Sequence, residues 1–257
     1  MNTTAFITGG ASGLGKAAAK RLLSMGWTVA IADLGAERLA EAVGELGPLG
    51  KVLTFELDVR DESAVNAAID SAAEQMGSIG ALVTSAGISH QGSLMDNDSQ
   101  AWQRVLDINL TGSYLCAQAA SRHMVKAKSG SIVFIASISA THAWSSRVAY
   151  CSSKAGVLGL MRASAIDLAP FGVRANSVSP GPVRTPQTDV LHNELVQNAV
   201  KSAVPMARYG LPGEIGDVIA FLCTDDARYV TGHDLTVDGG LTAAAILYDA
   251  SKNPQSA

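Results

Sequence analysis

The chain has 257 residues, of which 47% are hydrophobic, 16% charged and 5% aromatic; this suits one α/β domain with a sizeable core and excludes disordered and fibrous classes. Lys and Arg number 19 against 23 Asp and Glu, a formal net charge of -4, without the basic stripe that nucleic-acid phosphates demand, so no nucleic-acid partner is expected. Mean hydropathy is +0.20, yet charged residues interrupt every apolar segment before the ~20 residues of a membrane span, so no membrane partner is expected either.

Short β-branched or apolar runs alternate with segments of helical spacing from residue 4 almost to the end. Strands are predicted at Thr4 to Thr8, Thr28 to Ala32, Val52 to Leu57, Ala81 to Thr84, Ser131 to Ala136, Arg174 to Val178 and Leu235 to Val237. Helices are predicted at 13–25, 35–46, 61–76, 98–127, 147–169, 187–203 and 213–223. Most strands are continuous apolar runs, which means burial on both faces, as in a mostly parallel doubly wound sheet with helices on either side. No linker divides the chain, so residues 1–257 are expected to form a single domain with a C-terminal tail at 241–257, of which only Ser251 to Ala257 is expected to be loose.

Other features bound the setting. The charged fraction lies well below the roughly 25% usual for soluble domains, so surface is expected to be hidden between subunits. Residues Met1 to Ile7 lack the basic region and cleavage site of a signal peptide, and a cytoplasmic location is expected. Cys116, Cys151 and Cys223 are far apart and odd in number, which reads as reduced packing thiols. The five histidines form no close pairs, and no metal site is expected.

The first strand ends in Thr8-Gly9-Gly10-Ala11-Ser12-Gly13-Leu14-Gly15, and a helix follows. Gly9 can take the tight turn, while Gly13 and Gly15 let backbone N–H groups and the helix N-terminus approach a pyrophosphate. Asp33 ends the second strand, 18 residues after Gly15. Strand, glycines, helix and carboxylate together define a dinucleotide fingerprint. A carboxylate at Asp33 accepts hydrogen bonds from the adenosine ribose and repels a 2′-phosphate, which favours NAD over NADP. Arg38, one turn into the next helix, is expected to face solvent while within reach of a 2′-phosphate.

After the fifth strand come Ser137 and then Tyr150-Cys151-Ser152-Ser153-Lys154 on a helix. Tyr150 and Lys154 are one turn apart, about 5.4 Å, on one face. An adjacent ammonium stabilises phenolate, so a buried Lys154, a cationic nicotinamide ring and low local dielectric are together expected to lower the Tyr150 pKa toward neutrality. Leu158, Met161 and Ala165 continue the face from Lys154, which places the pair on a packed helix.

These residues, in this order and spacing, resemble the short-chain dehydrogenase/reductase family. Asp58 in Leu57-Asp58-Val59, Asn109, Pro180-Gly181-Pro182-Val183-Arg184-Thr185 and Val237-Asp238-Gly239-Gly240 extend the resemblance over essentially the whole chain. It implies a Rossmann fold of seven strands, a nicotinamide cofactor, hydride exchange with an alcohol or carbonyl carbon, and a homotetramer. It further implies that Tyr150 is the general acid and base, that Ser137 holds the substrate oxygen, that Lys154 binds the nicotinamide ribose and that Asn109 anchors a water. Gly9, Ser12, Gly13, Leu14, Gly15, Asp33, Leu34, Asp58, Val59, Ala86, Gly87, Pro180, Gly181, Val183 and Thr185 would join Tyr150 and Lys154 in binding the cofactor. Asp58 would contact adenine, Ala86 and Gly87 its ribose, and Val183 and Thr185 the carboxamide. Ser12 and Leu34 stand where NADP-preferring members carry a basic residue, in agreement with Asp33. Ser85-Ala86-Gly87 departs from the family's Asn-Ala-Gly, which puts one structural hydrogen bond in doubt.

The three-residue interval between Tyr150 and Lys154 matches carbonyl and alcohol enzymes, whereas enoyl reductases usually separate the pair more widely. The alternatives are an NADPH-linked 3-oxoacyl-type ketoreductase and a non-catalytic NAD-sensing protein on the same fold. Substrate is expected beyond the carboxyl ends of the strands, at residues 88–95, 138–147 and 182–209. His90, Ser139, His142, Trp144, Arg147 and Leu191 are the candidates, and residues 187–209 resemble a substrate lid that would close Leu191, Leu195 and Val196 over the ligand. Arg147 either turns to the pocket to pair with a carboxylate, phosphate or sulfonate, or lies in solvent or at a subunit contact. His90 and His142 are pocket groups or surface loop residues, and Trp144 is a pocket wall or an interface residue.

Overall fold

The computed structural model describes residues 2–185, 188 and 193–244. Among these, seven strands, β1 (Thr4–Thr8), β2 (Thr28–Asp33), β3 (Val52–Glu56), β4 (Ala81–Thr84), β5 (Gly130–Ile135), β6 (Val173–Pro180) and β7 (Asp234–Val237), form one sheet in the order β3-β2-β1-β4-β5-β6-β7. All six pairings are parallel, so the expected "mostly parallel" sheet is wholly so. Residues of β1, β4, β5 and β6 are buried throughout, whereas the edge strands β3 and β7 are half-exposed. The continuous apolar runs thus belong to the strands covered on both faces.

The helices are α1 (Gly13–Ser24), α2 (Ala36–Leu46), α3 (Glu62–Met76), α4 (Ser99–Leu106), α5 (Gly112–Ala127), α6 (Val148–Leu168), α7 (Glu194–Ala203) and α8 (Pro212–Cys223). Side chains alternate along each strand, which divides the core in two. Phe6, Leu82, Ile132 and Phe134 pack with Ile69, Met124 and Met161 on one face. Ile7, Val83 and Val133 pack with Leu22, Leu39 and Ile219 on the other. The chain leaves β1 toward β2 and β3, then returns through α3 to β4 on the opposite side of β1. That reversal opens a crevice at the carboxyl ends of β1 and β4.

The continuous helix expected over 98–127 is interrupted. Asp107–Thr111 between α4 and α5 form a π-helical turn. Such a bulge inserts a residue into the helix and commonly marks a functional position; here it carries Asn109, which is buried. The predicted helix 187–203 is described only from Glu194, since residues 186, 187 and 189–192 lie outside the described residues. So do 245–257 of the predicted tail.

Candidate active site

A cavity of about 520 Å³ occupies the crevice. It is lined by Gly9, Ser12, Gly13, Leu14, Asp33, Leu34, Asp58, Val59, Ala86 and Gly87 toward β1 to β4, and by Ser137, Tyr150, Lys154, Pro180, Gly181, Val183 and Thr185 beyond. Residues not named as site residues also line it, among them Ile135, Arg38 and Ser85 near the cofactor candidates, and Ile88 and Thr188 within the expected pocket segments. Thr188 had a local signal in the Thr185-Pro-Gln-Thr188 spacing: its hydroxyl accepts from Thr185 N at 2.8 Å and donates to Val183 O at 2.9 Å, tying together two residues assigned to the cofactor.

At the β1 end the glycines divide their work. Gly13 has φ +53° and a Cβ there would meet nothing within 4 Å, so the backbone faces open cavity. Gly15 was expected to approach the ligand, but it is not among the lining residues. A Cβ on Gly15 would lie 2.3 Å from Gly9 O, so its lack of a side chain lets α1 close onto the preceding turn. Gly9 is hemmed by Ala86 N at 2.8 Å, which brings the β4 loop against the cradle. That loop is pinned by Ala86 N donating to Thr8 Oγ1 at 3.2 Å. Beside it Thr84 Oγ1 is buried without a partner, next to the position where Ser85 replaces the family's Asn.

Asp33 Oδ2 accepts from Ala11 N at 3.1 Å and Oδ1 from Leu34 N at 2.8 Å. Arg38, expected in solvent, folds over this end: one guanidinium nitrogen donates to Ser12 Oγ at 3.1 Å and another stands 3.7 Å from Asp33 Oδ1. Its side chain is still 55% exposed, so the pair is screened and weak. Arg60 chelates Asp58 through backbone and side chain and holds its carboxyl below the usual carboxylate range.

At the other end, Ser137 is buried at the end of β5, where its Oγ accepts from Ser139 N at 3.1 Å. Ser139, a predicted substrate residue, does not line the cavity; it orients Ser137. Lys154 is 6% exposed and donates to Ile135 O at 2.7 Å. Its Nζ lies 5.7 Å from the centroid of the Tyr150 ring. Asn109 does not line the cavity but fixes its wall: Ile88 N donates to Oδ1 at 2.9 Å, and Nδ2 donates to Ile88 O and Ser153 Oγ, both at 3.0 Å. Both amide protons are therefore committed. Ser153 Oγ in turn donates to Tyr150 O at 2.8 Å, which links the π turn to the helix carrying Tyr150.

The expected lowering of the Tyr150 pKa included a cationic nicotinamide ring; the side chains alone act in the other direction. Burial pushes the Tyr150 phenol above its ordinary value, against the pull of the Ser137 hydroxyl and the Arg147 charge. Burial also pushes Lys154 down to about 8. For the phenol, desolvation of the charged form outweighs the contributions of Ser137 and Arg147. By these side chains alone, Tyr150 is protonated at neutral pH.

The remaining substrate candidates scatter. His142 is exposed and its Nδ1 meets Thr141 Oγ1 at 3.0 Å, outside the cavity. His90 and Trp144 are half-buried and are not among the cavity-lining residues. Leu191 lies outside the described residues, and Leu195, expected to close over the ligand, is 80% exposed. Arg147, also not among the cavity-lining residues, is half-buried at the start of α6, with its guanidinium on Ser89 Oγ. Among the described residues no cluster of three His, Cys, Asp or Glu could hold a metal ion, and no helix is long and apolar enough to cross a membrane.

A protein-family model described as Enoyl-(Acyl carrier protein) reductase matches residues 9–242. A short-chain type dehydrogenase/reductase from Mycobacterium marinum superposes with a TM-score of 0.90 at 34% identity, over 94% of this chain and 96% of that one. The chain belongs to the short-chain dehydrogenase/reductase family. Among characterised relatives of this dehydrogenase/reductase, cis-4-hydroxycyclohexanecarboxylate dehydrogenase of Sinomonas cyclohexanicum is 40% identical over 93% of this chain and 96% of its own. The trans-4-hydroxycyclohexanecarboxylate dehydrogenase of the same organism is 39% identical over 93% and 92%. A 3-oxoacyl-[acyl-carrier-protein] reductase of Staphylococcus aureus is 35% identical over 94% and 98%. The short-chain dehydrogenase/reductase is thus an oxidoreductase of a family that uses a nicotinamide dinucleotide.

Proposed function

We propose that the chain is an NAD-dependent secondary-alcohol dehydrogenase or ketone reductase in which Tyr150 moves the proton. The carrying observation is that Ser137, Tyr150 and Lys154 meet on the same cavity as the Gly13 cradle and Asp33. The residues fit a dinucleotide: open space lies before Gly13 at a helix N-terminus, and a carboxylate with only short local donors stands at the far end. When bound, the nicotinamide supplies or accepts the hydride. Ser137 holds the substrate oxygen, and Tyr150 gives that oxygen a proton in reduction and removes it in oxidation. Lys154, held by Ile135 O, binds the nicotinamide ribose and adds positive charge as the phenol ionises. Asn109 acts as a positioning residue, through Ile88 and Ser153. Ser12, Leu14, Leu34, Val59 and Pro180 complete the cofactor walls, with Asp58 at the adenine, Ala86 and Gly87 at its ribose, and Gly181, Val183 and Thr185 at the carboxamide.

Two relatives act, by name, on cyclic alcohols that carry a carboxylate, which makes hydroxycycloalkane carboxylates the first substrates to try. The four-residue step from Tyr150 to Lys154 and the facing Ser137 favour carbonyl chemistry over reduction of an enoyl double bond. A second reading, an NADPH-linked 3-oxoacyl-type ketoreductase, is favoured by Arg38, which reaches the Ser12 and Asp33 end where a 2′-phosphate would lie. The wider reading is of one dinucleotide-binding and catalytic domain in a cytoplasmic homotetramer. The exposed apolar residues Tyr114, Ile166 and Phe171 on and beside α5 and α6 support subunit contacts there; a monomer in light scattering contradicts that.

The test is absorbance of the reduced nicotinamide, with NAD and NADP in parallel, across neutral and anionic secondary alcohols. The expected result is NAD reduction that Tyr150→Phe lowers by about 10³-fold with NADH binding kept. Turnover retained in that variant removes Tyr150 from its role. Tight NADH binding without turnover on any alcohol or carbonyl supports a non-catalytic NAD-sensing protein instead.

A further inference from the structure

We infer that Arg147 anchors a carboxylate of the substrate, so that this dehydrogenase acts on hydroxy acids or oxo acids; the inference rests on the dehydrogenase reading above. Arg147 precedes Tyr150 by one turn. Its guanidinium donates to Ser89 Oγ, in the loop that leaves β4. The two backbones are joined as well: Gly92 N donates to Ser146 O at 3.0 Å, and Val148 N to Gly92 O at 3.4 Å. The side chain is therefore fixed between two loops at the carboxyl ends of the strands. Ile88, next to Ser89, and Tyr150 both line the cavity; Arg147 and Ser89 are not among the lining residues and border it through these neighbours.

What distinguishes this cation is partial burial without a carboxylate partner; Arg104, Arg122 and Arg162 also form no ion pair with a carboxylate among the described residues but are exposed. Arg60, Arg208 and Arg21 each have a carboxylate, from Asp58, Glu214 and Asp217. Arg174 is buried but donates to three backbone carbonyls, of Val230, Leu222 and Thr224. Arg147 is half-buried and, among the described residues, has neither an acid nor a carbonyl partner. Neither flanking segment, Ser85 to Met95 or Ser137 to Tyr150, contains an Asp or Glu. A guanidinium carries five N–H donors in a planar fork, and one serine hydroxyl engages one of them. A substrate carboxylate is the complement to the remaining donors, which a guanidinium pairs in bidentate fashion.

The probes are 3-hydroxybutyrate and 3-hydroxycyclohexanecarboxylate, each against its primary carboxamide, with wild type, Arg147→Gln and Arg147→Lys. The readout is the ratio of kcat/KM for acid over amide, because any influence of Arg147 on Tyr150 is common to both and cancels. The expected result is a ratio above one in wild type that falls about 30-fold in Arg147→Gln, with Arg147→Lys between. Binding of cyclohexanecarboxylate to the NADH complex, read by nicotinamide fluorescence, should weaken in parallel, and binding of cyclohexanecarboxamide should not. A ratio that stays within twofold across the three proteins overturns the inference. An equal loss on acid and amide with a change of mass in light scattering overturns it too, and makes Arg147 a subunit contact. If no alcohol turns over in wild type, the dehydrogenase reading fails, and the fluorescence titration alone decides whether Arg147 holds the carboxylate.

Discussion

At the Gly9 to Gly15 end of the crevice the shape is set by backbone against backbone, whereas at the Tyr150 end it is set by side chains that cross long stretches of chain. Gly15 fits because Gly9 O would lie 2.3 Å from any Cβ. Asn109 and Ser153 meet over 44 residues, and Arg147 and Ser89 over 58. A backbone-built cradle admits no added atom at Gly9 or Gly15, needs positive φ at Gly13, and announces itself through its glycines. A side-chain-built pocket shows its residue types in the sequence while leaving their directions to packing.

The sharpest break of that comparison is Lys154→Met, which separates function from stability. Turnover should fall about 10³-fold or more. The unfolded chain holds the lysine proton up to an ordinary 10.5, the folded one only to about 8. The folded state therefore binds fewer protons in that window, and stability rises with pH between about 8 and 10.5; below 8 the full penalty, about 3 kcal/mol, is present. Set against the lost bond to Ile135 O, Lys154→Met should stabilise by about 1–2 kcal/mol at pH 7. Denaturant unfolding checks this, and a variant less stable than wild type sinks it.

At the other end, Gly15→Ala should cost about 2–3 kcal/mol and weaken NADH binding, since α1 must shift off the turn; fluorescence titration and thermal unfolding read both. An alanine at exposed His142 should change neither. Asp33→Ala should move the NAD-to-NADP preference at least tenfold toward NADP, because it removes the like charge and frees Arg38. Failure of kcat/KM to shift would show that Asp33 is held by Ala11 N and Leu34 N for the turn alone. The smallest effect belongs to Thr84→Val, expected to stabilise by about 1 kcal/mol in chemical denaturation by deleting a buried hydroxyl without a partner.

The same contrast explains what was legible. All seven strands and their order of appearance followed from apolar runs and spacing, because central parallel strands must be buried on both faces. Gly9, Gly13, Asp33, Ser137, Tyr150 and Lys154 could be named from spacing because strand ends and one helical turn bring them to one crevice. The π turn at Asn109 escaped, since a helix reads the same with or without an inserted residue until Asn109 finds Ile88 and Ser153. Arg38 was legible as an exposed residue near the 2′-phosphate position, while its bond to Ser12, 26 residues away, was left to packing. Ser139 and His142 were expected at the substrate, but a short turn aims one at Ser137 and leaves the other exposed, and neither lines the cavity.

The measurement that bears most directly on the central claim is the pH dependence of kcat/KM in both directions, for wild type and Tyr150→Phe. With the phenol raised by burial, the proton-donating form is present at neutral pH, so ketone reduction should be favoured there and fall as pH rises. Alcohol oxidation needs the phenolate and should climb over the same range. Both limbs should vanish in Tyr150→Phe. Profiles that keep their shape and height in that variant would contradict the account.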